Sequence, residues 1–200
     1  MIWLDGVLVS PGSRSLHGER ILRGHRVWDP YRSKLAALAH LGHEVDLPSS
    51  LRVLYLGAAH GTTVSHIADY VECVYAVEIA PRPMQDLLSL ARQRENIVPV
   101  MGDATRPGEY APFLERVDLI YQDVASPRQA EIAAAHRVFL EEGGTLILMV
   151  KTRSIDATAD PDAVTRQVTG ALASCYRVKA VVPLEPYHRD HRALVCEGVK

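Results

Sequence analysis

A chain of 200 residues is long enough for one well-stocked hydrophobic core, or for one domain with a small appendage. Its 48% hydrophobic and 23% charged content is the balance of a soluble globular chain, and no run approaches the roughly 18 apolar residues of a membrane span. The formal net charge of −2 argues, taken alone, against a protein that grips nucleic acid by bulk electrostatics.

The charge is uneven. Between Ser10 and Lys34 stand six basic residues (Arg14, Arg20, Arg23, Arg26, Arg32, Lys34) against Glu19 and Asp29, a local excess of four; the rest of the chain then carries −6. Such a segment reads either as an electrostatic footprint or as a solvated surface. Three separated cysteines, Cys73, Cys175 and Cys196, form no CxxC, so neither a zinc site nor a disulfide framework is expected. The N-terminus carries no charged-then-apolar leader, and a reducing cytoplasm is the expected setting.

In chain order, short strand-like runs come first, at Ile2–Leu4, Val7–Val9 and Ile21–Leu22, separated by Gly and Pro. A helix is predicted over Tyr31–Leu41, with Asp29 as N-cap, Pro30 at its first position and Gly42 as its stop. Residues 1–50 thus read as a small β-rich N-terminal module with a connecting helix, and residues 51–200 as the main domain. From Leu51 apolar strands are predicted at Val53–Leu56, Val74–Glu78, Ile97–Met101, Leu119–Gln122 and Thr145–Val150. Helix-length segments lie between or after them at Thr62–Tyr70, Pro83–Arg92, Arg128–Leu140 and Asp162–Cys175. That alternation is the pattern of an α/β fold with a parallel sheet covered on both faces. Two last strands, Val178–Pro183 and Ala193–Val199, have no helix between them and must pair antiparallel.

The chemistry concentrates at the ends of those strands, where ligands of open α/β sheets bind. Gly57-Ala-Ala-His-Gly61-Thr62-Thr63 turns from the first main strand into a helix, and small residues there let the backbone approach a ligand. Glu78 ends the second strand, where an acid takes the ribose hydroxyls of an adenosine ligand. Asp103-Ala104 ends the third, where an acid accepts from an adenine amino group and an apolar neighbour packs on the ring. The turn lacks GxGxxG spacing, so a ligand without a phosphate, such as S-adenosyl-L-methionine, fits better than NAD.

Asp123 ends the fourth strand and Lys151 the fifth. A lysine directly after five apolar residues is costly to bury unless paired, and Asp123 on the neighbouring strand is the expected partner. His191, in the loop between the last two strands, can reach the same rim. Together the three suit deprotonation of a hydroxyl that attacks a methyl sulfonium, with Lys151 either as base or as a positioning group.

These residues resemble archaeal fibrillarin, the methyltransferase of box C/D ribonucleoproteins. The resemblance is carried by Arg26-Val-Trp-Asp-Pro-Tyr-Arg-Ser-Lys34, Val53-Leu-Tyr-Leu-Gly-Ala-Ala-His-Gly-Thr-Thr63, Val74-Tyr-Ala-Val-Glu78, Gly102-Asp-Ala-Thr-Arg-Pro107, Asp123-Val-Ala-Ser-Pro-Arg-Gln129 and Leu184-Glu-Pro-Tyr-His-Arg-Asp-His191. It implies a class I methyltransferase fold behind a small β domain, S-adenosyl-L-methionine as donor, and the ribose 2′-hydroxyl of rRNA or tRNA as acceptor. By position it implies that Gly57, Ala59, Thr62, Thr63, Glu78, Asp103, Ala104, Asp123 and Gln129 bind the cofactor. Asp123, Lys151 and His191 fall on catalytic positions. The implied partners are a box C/D guide RNA, a Nop-family scaffold protein and a kink-turn-binding protein of ribosomal type. The sequence departs from the family pattern at His60, Ser126 and His188.

Other acceptors on the same fold, a protein glutamine or a small molecule, remain open from the residues alone, because fold does not fix the acceptor. So do a catalytically silent cofactor-binding scaffold and an NAD oxidoreductase, the last disfavoured by the glycine spacing and the antiparallel end.

Overall fold

The computed structural model describes residues 1–199. Four short strands, β1 (Ile2–Leu4), β2 (Val7–Pro11), β3 (Ile21–Leu22) and β4 (His25–Val27), form an antiparallel sheet in the order β1-β2-β4-β3. Its two tight hairpins turn at Asp5-Gly6 and Arg23-Gly24, with positive φ at both residues of each turn. That is the geometry whose twist matches paired strands. The sequence reading missed β4, the inner strand that joins β2 to β3.

Helix α1 runs over Lys34–His40 rather than from Tyr31, and its N-cap is Ser33, not Asp29. Asp29 instead closes a turn: its carboxylate accepts the Tyr31 N–H at 2.8 Å, and its carbonyl accepts those of Arg32 and Ser33. Ser33 then lies in the extended region, where its hydroxyl accepts the Ala36 N–H. Five consecutive residues of α1, Leu35 to Ala39, are buried, so small side chains let the helix pack on nearly every side.

The main sheet comprises β5 (Arg52–Leu56), β6 (Cys73–Glu78), β7 (Ile97–Met101), β8 (Val117–Gln122), β9 (Leu140–Lys151), β10 (Tyr176–Pro183) and β11 (His191–Gly198), in the order β10-β11-β9-β8-β5-β6-β7. Strands β5 to β9 pair parallel, and β11 pairs antiparallel with both β9 and β10, as expected for strands without a crossover helix. Helices α2 (Thr62–Ile67), α3 (Pro81–Ala91), α4 (Gln129–His136), α5 (Thr152–Ile155) and α6 (Pro161–Leu172) complete the fold. Alternate strand residues enter opposite cores. Val53, Tyr55, Val74 and Leu119 pack with α1, α2 and α3, whereas Leu54, Leu56, Val77 and Ile120 pack with α4 and α6. Burial on both faces is why these strands read as continuous apolar runs.

Part of the basic N-terminal segment is spent inside the protein, while Arg14, Arg20, Arg23 and Arg32 stay exposed. Arg26 is fully buried, paired with Glu19 and, at 2.7 Å, with Asp69, and it donates to Ser65 Oγ at 2.7 Å. Trp28 stacks on His66 with centroids 5.0 Å apart, and Ser10 Oγ bonds both His66 Nδ1 and Asp69. These contacts fasten the small sheet to α2. Because β5 lies between β6 and β8, the strand order reverses there, and the crevice at the carboxyl ends of β5, β6 and β8 is where such a sheet takes a ligand.

Candidate active site

The crevice begins where β5 ends. Gly57 has φ +81°, and a Cβ there would lie 2.6 Å from the Asp123 carbonyl oxygen, so only glycine lets the two strand ends approach. Gly57 and Ala58 both donate to the Val77 carbonyl, which keeps the turn level with the end of β6. Ala59 is held in the left-handed region at φ +47°. Its N–H donates to Glu78 Oε2 at 2.8 Å, while Glu78 Oε1 accepts the Ala80 N–H at 2.7 Å. One buried carboxylate thus braces both loops.

Gly57, Ala59, Glu78, Asp103, Ala104 and Asp123 together line one cavity of about 260 Å³, floored by Val77 and flanked by the exposed Ile79. Asp103 accepts the Thr105 N–H at 2.8 Å, and that bond holds its carboxyl below the usual range. Its loop is fixed by Gly102, where a Cβ would lie 2.6 Å from the Tyr110 ring. Thr62, Thr63 and Gln129 lie outside the lining. Thr63 Oγ1 donates to Ser33 Oγ at 3.0 Å, and Thr62 borders the cleft between Trp28 and His66.

Gln129 is fully buried at the start of α4. Its Nε2 donates to the carbonyls of Val124 at 2.6 Å and Met149 at 3.1 Å, and its Oε1 accepts the Lys151 N–H at 3.2 Å. The side chain therefore ties the loop after β8 to the end of β9.

The expected Asp123–Lys151 pair does not form. Both oxygens of Asp123 are taken by Lys34, with Nζ at 2.8 and 2.7 Å, an ammonium from the first turn of α1. The reason is register: Gln122 pairs with Leu148, which sets Asp123 level with Met149, two residues short of Lys151. Lys151 is exposed and forms no ion pair among the described residues. Its backbone pairs directly with His191 across β9 and β11.

Burial lowers the pKa of His191, as do the charges of Lys34 and Lys151, against the opposing pull of the Arg189 carbonyl and the Asp123 carboxylate. Nδ1 lies 2.8 Å from the Arg189 carbonyl, which puts the proton on Nδ1 and leaves the Nε2 lone pair free in the neutral ring. His191 itself is the first residue of β11 and not part of the loop as expected; His188 in that loop donates from Nε2 to the Pro30 carbonyl at 2.8 Å, so this departure from the family pattern clamps the loop to the segment before α1. The other two departures lie outside the cavity lining. His60 pairs with Asp86 at 2.6 Å on the surface, and Ser126 Oγ accepts the Arg128 N–H.

Lys34 is the site residue that sequence reasoning missed. A usable signal was present, because a lone cation in the first turn of an otherwise apolar helix opposes the helix dipole and calls for an anionic partner. Among the described residues no cluster of side chains is arranged to hold a metal ion.

The family model described as Fibrillarin matches residues 9–199. The chain belongs to the fibrillarin family. A relative from Methanoculleus marisnigri, named fibrillarin-like rRNA/tRNA 2′-O-methyltransferase, is 62% identical over 196 residues, covering 98% of each chain. The crystal structure of a fibrillarin/Nop5p complex matches with a TM-score of 0.93 at 44% identity, over 98% of this chain and 96% of that one. Aeropyrum pernix fibrillarin, solved with natively bound S-adenosyl-L-methionine, matches with a TM-score of 0.83 at 41% identity, over 92% and 84% of the two chains. The fibrillarin fold, a mostly parallel seven-stranded sheet behind a small antiparallel one, is the fold expected from the strand–helix alternation.

Proposed function

We propose that this fibrillarin-family protein transfers a methyl group from S-adenosyl-L-methionine to the ribose 2′-hydroxyl of rRNA and tRNA. In this reading it works inside a box C/D particle in the cytoplasm, with a guide RNA, a Nop-family scaffold and a kink-turn-binding protein of ribosomal type. Residues 1–50 serve as an N-terminal module and residues 51–200 as the catalytic domain. The observation that carries this reading is that Asp123 belongs both to the cavity lining and to the Lys34–His191–Lys151 rim.

The cavity suits the donor. The glycine cradle admits a ligand beside the Asp123 backbone, Glu78 retains lone pairs for ribose hydroxyls, and Asp103 does so for an adenine amino group. Thr62 and Thr63, which follow the turn outside the lining, would border the methionine end, and Gln129 would act by holding the loop after β8 in place. When bound, S-adenosyl-L-methionine supplies an electrophilic methyl on sulfonium.

The ribose hydroxyl is a poor acid and needs a proton acceptor. His191 Nε2, with its lone pair free, would take that proton, while the donor's sulfonium would give up its methyl to the ribose oxygen and leave as the neutral thioether. Lys151, an ammonium with no committed partner, stabilises the charge that develops on that oxygen. Asp123 lines the cavity, where its negative charge would favour a cationic donor, and holds Lys34 at the opening of the site. A protein-amide acceptor has no evident use for two ammonium groups at the rim.

The test is reconstitution with scaffold, kink-turn binder and guide RNA, followed by labelled methyl transfer. Transfer to a guide-matched RNA, and not to a mismatched one, supports the reading. Labelling of protein, or labelling of RNA irrespective of the guide, contradicts it.

A further inference from the structure

Tyr31 is 65% exposed, an unusual position for a tyrosine fixed as firmly as this one. Its N–H is bound by Asp29 at 2.8 Å. Its ring meets Tyr187 edge to face, with centroids 5.1 Å apart at 70°. Tyr187 in turn lies 5.8 Å from the His40 ring at the far end of α1. An edge-to-face pair leaves a ring face of the exposed member without protein cover. The catalytic chemistry uses neither tyrosine, yet both flank it: Lys34 follows Tyr31 by three residues, and His191 follows Tyr187 by four.

The surrounding charge is one-sided. Asp123, Asp190 and Glu185 are each paired, with Lys34, Arg153 and Arg192, and Asp29 is turned onto the Tyr31 N–H. Exposed Lys151 and Arg189 form no ion pair among the described residues, whereas the Arg32 guanidinium is turned onto the His17 carbonyl at 3.0 Å. A rigid aromatic face inside a cationic rim is the combination that binds single-stranded nucleic acid, with rings stacking on bases and cations tracking phosphates.

We infer that Tyr31 is a stacking platform for a base of the RNA strand that carries the target ribose, with Lys151 and Arg189 on its phosphates. The inference rests on the ribose-methylation reading above and adds to it a contact that positions the substrate. Stacking is indifferent to base identity, because every base has a π face. An enzyme directed by a guide needs a grip of that kind, one that does not choose the sequence.

The experiment uses the assembled particle and target RNAs that carry an abasic nucleotide at the target or at either neighbour. Tyr31→Ala is expected to lower kcat/KM for intact RNA about tenfold, mainly through KM, while Tyr31→Phe stays within about twofold of wild type. One of the abasic RNAs should cost the wild type a similar factor and cost Tyr31→Ala nothing more. S-adenosyl-L-methionine affinity and particle assembly should be unchanged. If every abasic RNA costs wild type and Tyr31→Ala equally, Tyr31 does not stack and the inference is overturned. Loss of scaffold binding by Tyr31→Ala also overturns it and makes the patch a protein-docking site. If the wild type methylates no intact RNA, the underlying reading has failed, and the inference falls with it.

Discussion

Lys34 Nζ bridges both carboxylate oxygens of Asp123, 89 positions away in the chain, at 2.8 and 2.7 Å. This bond links the small N-terminal sheet, through α1, to the carboxyl edge of the main sheet. The pair is part-buried, with side chains 20% and 23% exposed, so neither solvent nor salt screens it fully. It also occupies the carboxylate that the neighbouring strand's lysine was expected to fill, and so leaves Lys151 free for substrate.

Removing Lys34 therefore affects chemistry more than folding. Lys34→Met keeps the aliphatic stem and should lower methyl transfer about 100-fold, within the usual range for an acid–base or electrostatic group. Thermal unfolding should shift little, because the lost partner remains partly hydrated. Single-turnover transfer and calorimetric melting measured on the same preparation check both halves. Near-normal turnover with a much lower Tm would make Lys34 structural.

Gln129 separates two roles that the sequence left merged. With its amide committed to Val124, Met149 and Lys151, Gln129→Met strands one buried and two part-buried backbone groups and should cost about 2 kcal/mol. Transfer should fall because Lys151 loses its anchor, while affinity for S-adenosyl-L-methionine stays within about threefold. Isothermal titration of the ligand decides it. A selective loss of ligand affinity at unchanged stability would show that Gln129 contacts the cofactor directly.

The buried His66 gives stability a defined acid limb. Burial first, and the nearby Arg26 charge second, push its pKa down to about 3 from the ordinary 6.5. As pH falls below 6.5 the unfolded chain takes up the proton and the folded one does not. The stabilisation is complete above 6.5 and is lost progressively down to about 3. Between pH 7 and pH 4 this group alone costs the folded state roughly 3 kcal/mol. His66→Phe preserves a ring against Trp28 and leaves Ser10 donating to Asp69. Urea unfolding at the two pH values should show the variant losing less stability than wild type by about that amount. Parallel losses would mean that His66 does not titrate in this way.

What could be read from the chain beforehand follows physical lines. The strands β5, β6 and β8 were legible because burial on both faces leaves nearly unbroken apolar runs, and the edge strand β7 because it is apolar even where Val98 and Met101 are exposed. The antiparallel end was legible because no helix-length segment separates β10 from β11. Glu78, Asp103 and Asp123 converge on one cavity because each ends a parallel strand, and strand ends are adjacent by construction. Strand β9 was underestimated, starting at Leu140 rather than Thr145, because Gly143-Gly144 reads as a turn. The start of α1 was misplaced because Asp29-Pro30 and Ser33 are both acceptable caps, and the local turn decides between them. Pairings across the fold were the least visible. Lys34 with Asp123, and Arg26 with Glu19 and Asp69, depend on register and on the docking of the small sheet, neither of which leaves a local mark. The near-neutral net charge likewise concealed that Arg26 is internal and Lys34 part-buried against Asp123, while Arg32 stays at the surface on the His17 carbonyl.

The central claim is that the acceptor is the ribose 2′-hydroxyl. The most direct measurement is methyl transfer by the assembled particle to two guide-matched RNAs, identical except for a single 2′-deoxy residue at the target nucleotide, with mass analysis of the nuclease digests. The account requires one methyl on the ribose of the target nucleotide in the first RNA and none in the second. Equal incorporation into both RNAs would contradict it.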